Sequence, residues 1–235
     1  FVYLHMDFIK KNIIDFYSGL TFDPELHKYF VKGIPIAKSV SAKLKDFCLP
    51  FNRDFLSKRV AMSRGISQEE VLAEWQETAD IAIKRGNEAH LFGELYPYNR
   101  DLRPQSQFEV AIMKFWDNLP AHIVPVISEL QMYHKEQMYA GTADIVLYNT
   151  QTEKFIIGDY KTNKDLFKNF KGQKLTGRFS NFLDNPFNKY QLQLSYYQIL
   201  LEQTGVEVSG RKLIWLLPDG NYNLYDCQDL TQYLR

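Results

Sequence analysis

Residues Ser128–Lys161, SELQMYHKEQMYAGTADIVLYNTQTEKFIIGDYK, decide the fold of this chain. Their pattern predicts three consecutive strands, near Ile123–Tyr133, Ala140–Tyr148 and Lys154–Thr162. The polar stretch Asn149–Glu153 is a five-residue hairpin connection between the second and third strands. We therefore expect these strands to form the centre of a sheet.

Two aspartates and a lysine meet at one point of this predicted sheet. Asp159 and Lys161 are two positions apart on the third strand, so their side chains point the same way, about 7 Å apart. Asp144 ends a predicted Gly141–Asp144 turn on the neighbouring strand, where antiparallel pairing would bring its carboxylate beside Asp159. Charges in apolar surroundings are costly unless they are paired or bind a metal. The alternative interpretation is a surface hairpin with an Asp159–Lys161 salt bridge.

Composition excludes several classes of protein. A hydrophobic fraction of 45% and an aromatic fraction of 15% exclude a disordered chain. Lys plus Arg equals Asp plus Glu at 28 each, so any contact with nucleic acid must come from a local patch. The two cysteines, Cys48 and Cys227, are too few for a zinc knuckle and favour a reducing compartment such as the cytoplasm. No apolar run approaches the roughly 18 residues of a membrane helix, so no membrane partner is expected.

The rest of the chain predicts an α/β fold in one domain over residues 1–235. The central sheet is expected to be mixed, with about five strands and helices on both faces, and residues 1–66 to form a helical and hairpin region packed on it. Periodicity, capping and turn signals predict the following elements: a helix over Met6–Tyr17, a hairpin over Thr21–Ile36, helices over Val40–Phe47 and Arg53–Arg64, a long helix from a Ser67–Glu70 capping box to about Leu95, helices over Pro104–Leu119 and Lys189–Thr204, strands over Arg211–Leu217 and Tyr222–Asp226, and a last short helix over Gln228–Leu234.

One histidine on the long predicted helix is a candidate ligand. His90 follows Gly86 by one helical turn, and Glu94 lies one turn further on the same face. Gly86 leaves room for a close backbone approach, and the imidazole of His90 could bind a metal or a phosphate. The alternative is an ordinary core or surface histidine of a helix.

Five elements in order resemble a known family. They are GxxxH (Gly86–His90), a glutamate on the first strand (Glu129), GxxD (Gly141–Asp144), DxK (Asp159–Lys161) and QxxxY (Gln193–Tyr197). This order is similar to that of RecB-like exonucleases of the PD-(D/E)xK nuclease superfamily, and the resemblance spans roughly residues 39–201. The chain differs from the iron–sulphur members, because their cysteines are absent. Ala143 also stands where the superfamily motif has proline.

The resemblance implies a restriction-endonuclease-like core and a divalent-metal-dependent DNA exonuclease that uses Mg²⁺ or Mn²⁺. Asp144, Asp159, His90 and the Tyr160 backbone carbonyl would hold the metal. Lys161 would orient or deprotonate the attacking water, and Glu129 would bind a second metal or orient water. Gln193 and Tyr197 would contact DNA or brace the site; a structural hydrogen bond between them is the alternative.

The connection over residues 163–185 is unusually long and carries basic and aromatic side chains. Its cations are Lys164, Lys168, Lys171, Lys174 and Arg178, and its rings are Phe167, Phe170, Phe179 and Phe182. Cations that follow a backbone and rings that stack on bases are typical of a single-strand channel. The alternative is a flexible solvated loop whose phenylalanines pack on the body.

Two other functional classes stay open. One is a structure- or sequence-specific endonuclease, and the other is an inactive module that binds nucleic acid. The expected partners are single-stranded DNA or duplex ends, together with replication or recombination proteins.

Overall fold

A computed structural model describes the chain from Val2 to Arg235, with side chains from Met6 onward. The fold is α/β, with helices on both faces of a mixed sheet. The helices are α1 (Val2–Phe16), α2 (Val40–Lys45), α3 (Arg53–Arg64), α4 (Gln68–Leu95), α5 (Gln107–Asp117) and α6 (Pro186–Glu202). The strands are β1 (Leu20–Asp23), β2 (Lys28–Val31), β3 (Ile34–Pro35), β4 (Lys38–Ser39), β5 (Ile123–Tyr133), β6 (Tyr139–Asn149), β7 (Lys154–Lys161), β8 (Val208–Leu216) and β9 (Tyr222–Asp226).

The central sheet has six strands in the described chain, one more than expected. β5, β6 and β7 pair antiparallel in sequence order, β8 pairs parallel with β7, and β9 pairs antiparallel with β8. The additional strand, β4, pairs parallel with only the first two residues of β6. The N-terminal hairpin gains a third strand and forms a small separate sheet, β1–β2–β3.

Apolar side chains cover the two faces of the sheet separately. On one face, residues of α1, α2 and α6 pack with the sheet around Ile13, Val40 and Leu200. On the other face, α4 and α5 pack around Phe92 and Phe115. The mixed sheet flanked by helices is therefore confirmed.

Most predicted helices form near their expected bounds. The capping box at Ser67 and Glu70 is present and opens α4, a 28-residue helix. α2 is shorter than predicted, and the last helix is reduced to a 3-10 turn over Thr231–Tyr233. Among the described residues, no helix combines the length and apolarity needed to cross a membrane.

One local prediction is wrong. Gly141–Asp144 is not a turn, because all four residues lie inside β6 and the first three pair with residues of β5. Its glycine is needed for packing instead: a Cβ on Gly141 would lie 2.7 Å from Cε1 of Tyr197 and 2.9 Å from Cγ2 of Val40.

The connection over residues 163–185 folds against the body of the protein. Leu166, Leu175 and Phe179 are buried, and Lys174 forms an isolated bridge with Leu183. A one-turn 3-10 helix over Gly177–Phe179 lies within it. The rings therefore divide: Phe179 and Phe182 pack inward, and Phe170 is exposed. Phe167 is partly exposed, with its ring also against Phe187, Trp215 and Tyr225.

Candidate active site

The site forms where two central strands separate. β6 and β7 pair from Asn149 and Lys154 up to Ile145 and Gly158, and their pairing ends there. The next residues on each strand are Asp144 and Asp159, so the register places the two aspartates opposite each other, as predicted. Beyond this point β7 continues to pair with β8 alone. A gap therefore opens between β6 and β7 at Asp144 and Asp159.

Asp144 bridges this gap with its carboxylate. Its Oδ2 accepts a hydrogen bond of 2.7 Å from the backbone N–H of Tyr160. The Tyr160 ring lies in the apolar layer under α4 and α5, so this residue anchors the strand end. The Tyr160 peptide thus reaches the site through its N–H, and its carbonyl as a metal ligand stays a prediction.

Helix α4 brings His90 over the gap. Nδ1 of His90 lies 3.4 Å from Oδ1 of Asp144 and 3.6 Å from Oε1 of Glu129. Burial acts against a charged imidazole, but the charge of Asp144 outweighs it and raises the pKa of His90 to about 10. Without a metal, His90 is therefore a positively charged imidazolium at neutral pH.

The close approach of α4 to the sheet depends on Gly93 and not on Gly86. A Cβ on Gly93 would lie 2.6 Å from Cε2 of Tyr160, whereas a Cβ on Gly86 would meet no described atom within 4 Å. Gly86 leaves room, as expected, but no described part of the protein uses it. Gly93, one turn after His90, is the position where the helix contacts β7.

Glu129 reaches the same point through unusual backbone geometry. It lies in β5 between two residues that pair with Ile145 and Ala143, yet its φ is +50°. A non-glycine residue in this region carries local strain, and such strain concentrates at functional sites. Burial raises the pKa of the Glu129 carboxyl. No sequence signal predicts this backbone conformation.

His90, Glu129 and Asp144 form a group that could hold a metal. One ligand atom from each residue lies within 4.8 Å of the other two. The predicted side-chain ligands were His90, Asp144 and Asp159. The group in the structure has Glu129 in place of Asp159. Among the described residues, the three side chains that converge therefore come from α4, β5 and β6.

Asp159 and Lys161 lie beside this group as an ion pair. The Asp159 side chain is 2% exposed and the Lys161 side chain is 15% exposed, so the pair is not a surface salt bridge. Burial and the nearby charge of Asp144 raise the pKa of Asp159 to about 7. Burial works against the charged ammonium, but Asp159 and Asp144 outweigh it and raise the pKa of Lys161.

Gln193 and Tyr197 lie under the site on α6. Nε2 of Gln193 donates a hydrogen bond of 2.9 Å to the Tyr197 hydroxyl, and both residues are buried. The Tyr197 ring also packs where a Cβ on Gly141 would lie. The structural hydrogen bond given as the alternative is therefore present, and the burial of both side chains disfavours direct DNA contact.

Three further residues near the site were missed by sequence reasoning. The Tyr29 hydroxyl, from β2, lies 2.8 Å from Oγ1 of Thr142. Nη2 of Arg85 donates to the Thr162 carbonyl at 3.0 Å, and the Tyr190 ring faces Lys161. Each contact joins residues far apart in sequence, so no motif or periodicity could indicate it.

The predicted basic residues of the 163–185 connection are exposed. Lys164, Lys168, Lys171 and Lys174 make no ion pair among the described residues. Arg178 differs, because its guanidinium donates to the Tyr233 carbonyl. The Lys171 ammonium lies over the Phe170 ring, 5.5 Å from its centroid. We call Lys164, Phe167, Lys168, Phe170, Lys171 and Lys174 the basic–aromatic surface.

Comparison of the sequence with protein-family models finds no matching family, and a search of curated proteins finds no match. Functional assignment therefore depends on the geometry and chemistry of the residues themselves.

Proposed function

We propose that this protein is a divalent-metal-dependent DNA exonuclease with a restriction-endonuclease-like core, of the RecB-like type. The observation that carries the proposal is the convergence of His90, Glu129 and Asp144 within 4.8 Å, beside a buried Asp159–Lys161 pair. The carboxylates and the imidazole could bind a divalent cation. The ammonium beside them could transfer a proton or neutralise the charge of a phosphate.

The donor set fits Mg²⁺ or Mn²⁺. Two carboxylates provide the oxygen ligands that hard divalent cations prefer, and the imidazole nitrogen extends tolerance towards Mn²⁺. The charge balance of the site also supports cation binding, because Glu129, Asp144 and Asp159 outnumber His90 and Lys161 when all are ionised. When bound, the metal would lower the pKa of a coordinated water and polarise the scissile phosphate.

The protein's own residues would divide the remaining tasks. Asp144 would serve as a ligand in an orientation fixed by the Tyr160 N–H, and Glu129 and His90 would complete the set. Lys161 would place a positive charge beside the phosphate, stabilise the charge that develops in the transition state and orient the attacking water. Asp159 would hold the Lys161 ammonium beside the phosphate through their ion pair. Asp159 is also a further candidate ligand of the metal.

The basic–aromatic surface supports DNA as the substrate. It begins three residues after Lys161, and its four lysines have no ion-pair partner among the described residues. Exposed phenylalanines between unpaired cations suit a single strand, because rings stack on bases while ammonium groups follow the phosphates. A strand guided along this surface would lead to Lys161.

Digestion of DNA that carries a label at one end, beside closed circular DNA of the same sequence, tests the proposal. With Mg²⁺ or Mn²⁺, linear DNA should be degraded and circles left intact, and Lys161→Ala should slow the degradation at least about 100-fold, to a residual rate that single-turnover assays still measure. Cleavage of circles would indicate an endonuclease. Binding without cleavage in either metal would contradict an enzyme and indicate an inactive nucleic-acid-binding module.

A further inference from the structure

The Lys161 ammonium has a second neighbour besides Asp159. Nζ of Lys161 lies 4.8 Å from the centroid of the Tyr190 ring, within the range of a cation–π contact. Lysine has four rotatable side-chain bonds, so a buried ammonium needs more than one contact to keep a single position. Asp159 and Tyr190 together hold Nζ, one through charge and one through a ring face.

Tyr190 is itself held in place by two further residues. Its hydroxyl donates a hydrogen bond of 2.8 Å to Oδ1 of Asn163. The Asn163 carbonyl accepts a hydrogen bond of 2.7 Å from Nε1 of Trp215. Trp215 is the register partner of Lys161 across β7 and β8. The contacts therefore run from Lys161 through Tyr190, Asn163 and Trp215 back to Lys161. They fix the Tyr190 ring relative to the ammonium.

Tyr190 also belongs to the face of α6 that covers the site. It precedes Gln193 by three residues and Tyr197 by seven, a spacing that places all three on one side of a helix. Gln193 and Tyr197 brace the strand that carries Asp144, whereas Tyr190 contacts the strand that carries Lys161. One helix face thus supports both halves of the site.

We propose that Tyr190 is a positioning residue that fixes the Lys161 ammonium for its action on the phosphate and water. The functional part of this inference rests on the proposed function. Tyr190 matters most if Asp159 turns towards a metal, since the ring is then the neighbour that still holds Nζ. The ring face supplies this contact, so phenylalanine should replace tyrosine while leucine should not.

The first experiment measures the contact without any activity. Lysines labelled with ¹³C at the ε-carbon are followed by NMR, and the Lys161 signal is assigned by its loss in Lys161→Ala. Protons over a ring face resonate upfield, so the Lys161 ε-protons should be shifted upfield in wild type and in Tyr190→Phe, with and without Mg²⁺. Tyr190→Leu should lose this shift, and Asn163→Ala, which frees the ring, should reduce it. An unchanged shift in Tyr190→Leu would overturn the contact.

The second experiment measures the consequence for cleavage. Tyr190→Leu should lower kcat by about tenfold, the scale of one cation–π contact, and leave KM nearly unchanged. Tyr190→Phe should restore kcat, and Tyr190→Leu should add no further loss in a Lys161→Ala background. An equal loss in that background would overturn action through Lys161. A wild type that cleaves no DNA would instead refute the proposed function, and the NMR result would still decide the contact.

Discussion

At the scale of single residues, the site is a small set of charges that partly compensate one another. Three carboxylates, Glu129, Asp144 and Asp159, face two cations, His90 and Lys161. Buried charge is costly unless it is balanced, so the metal-free protein keeps a proton on His90. A bound divalent cation would supply the positive charge that this proton supplies in the metal-free protein.

Metal binding should therefore release protons and strengthen as the pH rises. The pKa of His90 is raised to about 10, so below that pH the metal must displace the His90 proton. At about pH 8 we expect about one proton released per metal, with a second near pH 6 if Asp159, whose pKa is about 7, is also a ligand. Calorimetry with Mn²⁺ in buffers of different ionisation enthalpy measures this number.

The control for proton release is His90→Ala, which should lose the proton counted at about pH 8 and bind Mn²⁺ at least tenfold more weakly. Binding that releases no proton in wild type, or that tightens at lower pH, would contradict a site built on His90.

Sequence spacing predicted much of the site at this scale, but not the conformation of every ligand. Period-two alternation placed Asp159 and Lys161 on one face, and strand pairing placed Asp144 beside Asp159. His90 was included because the order of motifs resembles that of RecB-like nucleases. Glu129 was named, yet its place in the ligand group depends on a left-handed backbone conformation that no local pattern encodes. Tyr190 and Tyr29 depend on long-range contacts.

At the scale of elements, the separation of β6 from β7 makes room for the site, and helix α4 covers it. α4 approaches β7 where Gly93 meets the Tyr160 ring, and this contact sets the height of His90 above Asp144. The capping box and the periodicity of α4 were readable from sequence. Which of its glycines touches the sheet was not, because that depends on how helix and sheet pack.

Gly93→Ala should move α4 away from the sheet. The added Cβ would lie 2.6 Å from Cε2 of Tyr160, a separation that forces a shift and should cost about 1–3 kcal/mol of stability. Because His90 lies on the same helix, Mn²⁺ affinity should fall as well. Chemical denaturation and calorimetry measure the two effects.

The matched control is Gly86→Ala on the same helix. No described atom lies within 4 Å of the added Cβ, so helix propensity should stabilise the protein by up to about 1 kcal/mol. If Gly93→Ala proves as harmless as Gly86→Ala, the contact with Tyr160 does not set the position of α4.

At the scale of the whole molecule, the formal net charge is zero, so the proposed attraction of DNA would have to come from part of the surface. The basic–aromatic surface supplies unpaired cations, whereas many other cations are already neutralised by acids, as Lys11 is by Asp15 and Lys58 by Asp54.

The α/β class and the flanking helices followed from hydrophobic patterning. Packing of phenylalanines from residues 163–185 on the body was one of two alternatives, and it holds for Phe179 and Phe182. Which side chains become the buried anchors was not predictable, because the stretch has no periodic apolar pattern.

Replacing Lys164, Lys168, Lys171 and Lys174 together by glutamine should weaken binding of single-stranded DNA and flatten its salt dependence. Each lost phosphate contact removes about 0.7 from the slope of log affinity against log salt for a single strand. Titration of labelled oligonucleotides at several salt concentrations measures both quantities.

The control for this charge change removes four ion-paired lysines, Lys11, Lys58, Lys154 and Lys212. Their charges are offset by neighbouring acids, so the affinity should change much less. Equal losses in the two variants would indicate that net charge, and not the basic–aromatic surface, governs binding.

The central claim is that His90, Glu129, Asp144 and Lys161 form a metal-dependent centre for phosphodiester cleavage. Its most direct test is single-turnover cleavage of end-labelled single-stranded DNA by wild type and by Asp144→Asn, with EDTA and after addition of excess Mn²⁺. We predict no cleavage in EDTA, full recovery with Mn²⁺ in wild type, and at least a 100-fold loss in Asp144→Asn that Mn²⁺ does not restore. Cleavage that persists in EDTA, or that is undiminished in Asp144→Asn, would contradict the claim.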